Sequence, residues 1–173
     1  MKKILCVSAL LLALSGAVPA AGQSGPHTEY TFDQGWMFRL CEDKAEVASL
    51  LKSSGTEGFR PVHIPHDWSI ELPFDREEGG AAGYLPGGQG LYVKEFTLPS
   101  DIEDAGSLSL VFDGVYHRAT VWLNGKELGE HIYGYTDFSF DITKFIKKGG
   151  KNRLAVHVDR EDKSRWYTGS GIY

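Results

Sequence analysis

Residues 112–141 read FDGVYHRATVWLNGKELGEHIYGYTDFSFD, and this stretch decides the fold. It opens with a strand that is apolar on one face, reaches a second strand, turns at Asn124-Gly125 and ends in an aromatic, glycine-rich corner. Asn-Gly between alternating strands is the strongest short-range hairpin signal, because both central residues of the favoured turn need a positive φ. Before the turn, Ala119, Val121 and Leu123 share one face, and Thr120, Trp122 and Asn124 share the other. The first face is core. The second is polar and aromatic, and three readings stand for it: solvated, packed on another domain, or facing a sugar.

Strand-like segments recur on both sides. Residues 91–98 (LYVKEFTL) alternate Tyr92 and Phe96 against Val93 and Thr97. Residues 107–115 place Leu108, Leu110 and Phe112 on one face, and residues 152–159 turn Leu154, Val156 and Val158 inward. Short strands at regular spacing with polar turns predict a β-sandwich, with the Asn-Gly hairpin at its centre. Residues 31–40 form a first ordered segment on Phe32, Trp36 and Phe38, and residues 42–54 read as a loop or one short helical turn. Pro61 and Pro65 each remove a backbone donor, which predicts an edge strand or an extended segment over residues 59–68. Residues 69–91 lack periodicity and hold Gly79, Gly80, Gly83, Gly87, Gly88 and Gly90. A loop of about 20 residues is either functional or an ordered crossover that covers the sheet.

The N-terminus reads as a targeting segment. Lys2 and Lys3 precede a short apolar run over residues 4–14, followed by small residues up to Gly22. This pattern predicts a secretory signal peptide over residues 1–22, cleaved after Ala20 or Gly22, with one domain over residues 23–173. The run is shorter than the ~20 residues of a membrane span, so no membrane attachment is expected after cleavage. The leader looks bacterial, and the expected location is the periplasm or cell exterior. Cys6 leaves with the leader, and Cys41 then stands alone as a small buried apolar residue. The net charge of −5 carries no basic stripe, so nucleic acid is not an expected partner.

Few residues invite a chemical role. His66 and Asp67 are adjacent on an extended segment and point to opposite faces, so they do not converge on one substrate atom. Asp67 instead reads as satisfying loop backbone donors, with Trp68 in the core. The histidines lack zinc-ligand spacing, and no metal site is assigned. Gly87-Gly88-x-Gly90 is no dinucleotide fingerprint, since no strand leads into it and no helix follows. Ile172 and Tyr173 read as the first residues of a further strand, which predicts that the chain is a fragment of a longer protein.

Seven segments in order carry a resemblance: Ile64-Pro65-His66-Asp67-Trp68, Gly90-Leu91-Tyr92, Phe112-Asp113-Gly114-Val115, Val121-Trp122-Leu123-Asn124-Gly125, Gly134-Tyr135-Thr136-Asp137-Phe138, Asp141-Ile142, and the run from Arg165 to Tyr173. From about Trp36 to the last residue the chain resembles the N-terminal sugar-binding domain of glycoside hydrolase family 2, in its β-galactosidase-like branch. The resemblance implies an all-β, jelly-roll sandwich of the galactose-binding type. It also implies an immunoglobulin-like domain and a TIM barrel downstream, and a carbohydrate substrate such as a β-galactoside. In such retaining enzymes two glutamates, about 5–5.5 Å apart, do the chemistry. Both would lie on the barrel, so no catalytic residue is expected in this chain and the fragment itself is expected to be inactive. The resemblance further implies sugar contacts from the tail: Asp162, and Trp166 and Tyr167 as stacking rings. The other readings are a solvated Asp162 and aromatics that pack on the other domains. A sodium or other cation near the sugar is implied for the whole enzyme. Lys94 and the tail spacing depart from the β-galactosidase pattern, so the sugar stays open. The alternative function is a free-standing carbohydrate-binding or adhesion module.

Overall fold

The computed structural model describes residues 28–161 and 166–173. The expected signal peptide and Asp162 lie outside the described residues. Residues 28–31 belong to a separate N-terminal unit and have no regular secondary structure. Phe32–Tyr173 forms the other unit, built almost wholly of strands.

The strands run β1 (Trp36–Cys41), β2 (Arg60–Val62), β3 (His66–Asp67), β4 (Gly88–Phe96), β5 (Ser109–Phe112), β6 (Val115–Tyr116), β7 (Arg118–Leu123), β8 (Lys126–His131), β9 (Phe138–Asp141), β10 (Asn152–Arg160) and β11 (Gly171–Ile172). One helix, α1 (Lys44–Lys52), follows β1. Six strands make one sheet in the order β2-β1-β4-β10-β7-β8; β3-β11-β6 and β5-β9 make two smaller sheets. The axis of the large sheet is the antiparallel β4–β10 pair, in register from Phe96 opposite Asn152 to Gly88 opposite Arg160.

The Asn-Gly turn forms as read, with φ of 54° at Asn124 and 79° at Gly125. Ala119, Val121 and Leu123 are buried, as are Leu154, Val156 and Val158. They pack with Trp36, Phe38, Trp68, Tyr92, Phe112, Val115 and Ile172 into the main core, so the smaller sheets cover this face of the large one. Burial of each such side chain contributes about 1.5–3 kcal/mol. Pro61 lies in β2, an edge strand whose outer side needs no donor.

Five readings are corrected. The hairpin lies at the edge of the large sheet, since β8 is its last strand; the centre belongs to the longer β4 and β10. The face carrying Trp122 is covered: Trp122 packs with Cys41, Val47, Leu91, Val93 and Ala155, under Leu50 and Leu51 of α1. Residues 42–54 hold a nine-residue helix rather than a loop or a single turn. Asp43 caps it, accepting from Glu46 N at 2.8 Å, while Glu46 reaches back to Glu42 N at 2.7 Å. Residues 69–91 are not one loop: three 3-10 turns (Ser69–Glu71, Arg76–Glu78, Gly80–Ala82) lead into β4, which already begins at Gly88. Finally, Ile172 leaves no open ladder, because β11 is the middle strand between β3 and β6.

Candidate sugar-contact site

The site is built where β3, β6 and β11 meet. His66-Asp67-Trp68 enters the core through two of its members. The Trp68 ring stacks on Phe38 at 5.7 Å and its indole N–H donates to Gly87 O at 3.2 Å. His66 Nδ1 lies 2.7 Å from the Tyr92 hydroxyl. Alternation then turns Asp67 the other way, as the sequence implies.

Asp67 is the hub of the tail. Its Oδ1 accepts from Ser69 N at 3.1 Å and from the Ser170 hydroxyl at 2.6 Å. Its Oδ2 accepts from the Tyr173 hydroxyl at 2.8 Å and from the Tyr167 hydroxyl. The loop-donor role read for Asp67 holds for Ser69 N; the three tail donors were not foreseen. Burial, reinforced by the Asp67 carboxylate, pushes both the Tyr167 and the Tyr173 phenol well above the usual tyrosine range. Both therefore stay protonated and act as donors.

The tail backbone is shaped for this docking. Gly171 has φ of +127°, and a Cβ there would stand 2.0 Å from His66 O. Gly169 has φ of +94°, and its Cβ would meet the Tyr173 hydroxyl at 2.2 Å. Only glycine fits either position.

Trp166 is 61% exposed beside this cluster in sequence, and Tyr167 is half-buried. Tyr135, from the loop between β8 and β9, donates its hydroxyl to Thr168 O at 3.4 Å and is 63% exposed. Its ring lies 5.4 Å from Tyr116 and 6.1 Å from Tyr133. The tail thus joins an aromatic rim of Tyr116, Tyr133 and Tyr135. Such a rim can stack sugar rings or bury against protein. Sequence reasoning quoted the Gly134–Phe138 motif but gave Tyr135 no role; the 3.4 Å bond to Thr168 comes from tertiary pairing and has no local signal.

Other groups are engaged elsewhere. Lys94, which departs from the β-galactosidase pattern, donates to Gln34 O and lies 4.8 Å from the Phe32 ring centroid. Asp159 pairs with Lys44 at 2.6 Å. Cys41 is buried, and burial together with the Glu46 carboxylate pushes its thiol up to about 11. Among the described residues, no three His, Cys, Asp or Glu side chains converge as a metal-ligand set.

The family described as glycosyl hydrolases family 2, sugar binding domain, matches residues 31–173. The β-galactosidase BoGH2A of Bacteroides ovatus is 40% identical over 163 residues, which are 91% of this chain and 19% of that protein. A β-glycosidase of Bacteroides vulgatus superposes with a TM-score of 0.71 at 41% identity, over 82% of this chain and 19% of its own. The β-glucuronidase of Bacteroides uniformis gives a TM-score of 0.67 at 28% identity, over 83% of this chain and 17% of its own. The chain thus spans less than a fifth of the length of each of these proteins. The chain belongs to glycosyl hydrolases family 2, as its sugar binding domain.

Proposed function

We propose that the chain is the N-terminal, active-site-wall domain of a secreted, retaining β-glycosidase of β-galactosidase type, acting in carbohydrate catabolism. Residues 1–22 are its signal peptide, residues 23–173 belong to a jelly-roll sugar-binding domain truncated at its C-terminal end, and the location is the bacterial periplasm or cell exterior. The immunoglobulin-like and barrel domains follow, and the barrel supplies the two glutamates as acid/base and nucleophile. Asp162, Trp166 and Tyr167 contact the substrate, with a cation near the sugar, while this domain by itself hydrolyses nothing. The observation that carries the reading is the docked tail: Tyr167 is held by Asp67, and Thr168, next to it in sequence, is bound by Tyr135 of an exposed aromatic rim, on a domain of this family. The similarity to a β-galactosidase at 40% identity supports a β-glycoside substrate of this kind.

The experiment is expression of the complete open reading frame and assay on nitrophenyl β-galactoside, β-glucuronide and β-mannoside. Turnover of the β-galactoside with retained anomeric configuration is expected. Preference for the glucuronide corrects the substrate, and no turnover of any of the three, from folded protein, overturns the enzyme reading.

The exposed rim also favours a second reading, in which the domain binds carbohydrate as a module in its own right. Titration of the chain with the same three sugars at millimolar concentration tests this, since a Kd of 1 mM corresponds to only about −4 kcal/mol.

A further inference from the structure

Residues 166–170 have no regular secondary structure, and the ladder after them, β11, is two residues long. So short a ladder fixes little of the chain before it. The backbone adds Trp68 N to Ser170 O at 3.3 Å, beside the junction itself. Tyr135 donates to Thr168 O at 3.4 Å, Arg160 Nε to Gly169 O at 3.3 Å and Ser69 N to Ser170 Oγ at 3.1 Å, but the side chain that gathers the tail's own hydroxyls is Asp67, on another strand. Among the described residues the Asp67 carboxylate has four donors, and three belong to the tail: the hydroxyls of Tyr167, Ser170 and Tyr173. Bonds to an ionised carboxylate are the stronger class. The Tyr173 hydroxyl also accepts from Ser170 N at 2.9 Å, so the donors are tied to each other.

We propose that Asp67 is a positioning residue for carbohydrate recognition. By holding the Tyr167 hydroxyl, it sets the direction in which the neighbouring Trp166 is presented to a sugar. This role rests on reading Trp166 and Tyr167 as sugar contacts. The clamp prepays the ordering of the tail; without it, sugar binding has to order residues 166–170 at the cost of affinity. Asp67 touches no substrate. It acts through Tyr167, and its four donors leave it no free lone pair with which to serve as a base.

The test uses the full chain as wild type, Asp67→Asn and Tyr167→Phe, with two readouts. The first is amide hydrogen exchange over residues 166–173. Asp67→Asn is expected to lose protection there about tenfold or more while β4 and β10 keep theirs, as for a locally opened segment. The second is titration with methyl β-galactoside, followed by heat and by tryptophan emission; Trp36 and Trp68 are buried and Trp122 is half-buried under α1, and a Trp166→Phe control assigns the change to Trp166. Tyr167→Phe removes one oxygen and leaves Asp67 three donors, so it carries the test if Asp67→Asn fails to fold. It is expected to raise the Kd about tenfold and shrink the emission change, at a thermal midpoint close to wild type. Unchanged exchange in Asp67→Asn overturns the clamp, whatever the sugar result. Loosening in Asp67→Asn with unchanged sugar affinity in both variants overturns the recognition role. A wild type that binds none of galactoside, glucuronide or mannoside overturns the reading of the tail as sugar-contacting, and the recognition role with it.

Discussion

The Asn124 side chain donates to Asn152 Oδ1 at 2.8 Å, tying the Asn-Gly turn to the start of β10. The same amide donates to Phe145 O at 2.9 Å, and Asn124 Oδ1 accepts from Arg153 N at 3.1 Å. Asn152 in turn accepts from Lys147 N at 2.7 Å and donates to Lys147 O and Gly150 O at 3.0 and 3.1 Å. One amide pair, Asn152 buried and Asn124 half-buried, therefore closes the hairpin, the 145–150 turn and the start of β10 together. Asn152→Ala orphans Lys147 N and Asn124 Nδ2, and its expected cost is about 2–4 kcal/mol. Asn124→Gly keeps the positive φ and loses only the side-chain bonds, at about 1–2 kcal/mol. Urea denaturation of the two single variants and the double variant measures both, and the double variant should cost less than the sum.

Gly171→Ala probes the docking of the tail. Its Cβ would stand 2.0 Å from His66 O at a φ of +127°. Backbone has to move on β3 or β11, and the expected loss is above about 3 kcal/mol. A urea midpoint within experimental error of wild type would show that β11 does not sit between β3 and β6.

Acidification should weaken the fold through two histidines. Burial holds the His157 imidazole below its ordinary value of 6.5, with Lys44 acting in the same direction and Asp159, Glu161 and Glu130 opposing. Burial lowers His66 likewise, with Arg60 adding to it and Glu71 and Asp67 opposing. A lowered folded pKa means that the unfolded chain binds the proton first. The stability is thus fully present above pH 6.5 and is lost as pH falls towards the folded values. Midpoints measured between pH 7.5 and 5 should fall in wild type and fall less in His157→Gln. Asp159, held below its usual value by Lys44 and its other hydrogen bonds despite burial, adds its own loss at lower pH, below 3.8.

Cys41 should be inert while the fold stands. With the thiol pushed up to about 11, its thiolate is scarce at pH 8. In a Cys6→Ser chain, reaction with a disulfide reagent at pH 8 should run roughly 100-fold slower in buffer than in denaturing urea. Equal rates would place Cys41 outside the core.

The large sheet was legible because its signals are local. Alternation in β7 and β10 and the Asn-Gly turn each lie within a few residues. Helix α1 was legible at most as a single turn, although Asp43 and Glu46 form a capping pair, because its apolar stripe is only Val47, Leu50 and Leu51. A second clue lay in β4 and β10 themselves. Leu91-Tyr92-Val93 and Leu154-Ala155-Val156 are apolar at successive positions, as strands buried on both faces are. Something had to cover Leu91, Val93 and Ala155, and that cover is α1. The tail was legible as a motif but not as a place. Nothing near Tyr167 or Tyr173 in sequence points to Asp67, and Tyr135 meets Thr168 only across the assembled rim.

The small sheet draws residues 66–67, 115–116 and 171–172 from widely separated parts of the chain, with the last of them in the middle. Pairings of such long sequence separation form late, because the loops they close must be ordered first. A ribosome making this protein can release β4 and β7 long before β11 exists. Until then β3 and β6 have no strand between them, and the Asp67 carboxylate has none of its three tail partners. The clamp therefore closes only after residue 173 has emerged, so the small sheet and the Asp67 network wait together for the tail.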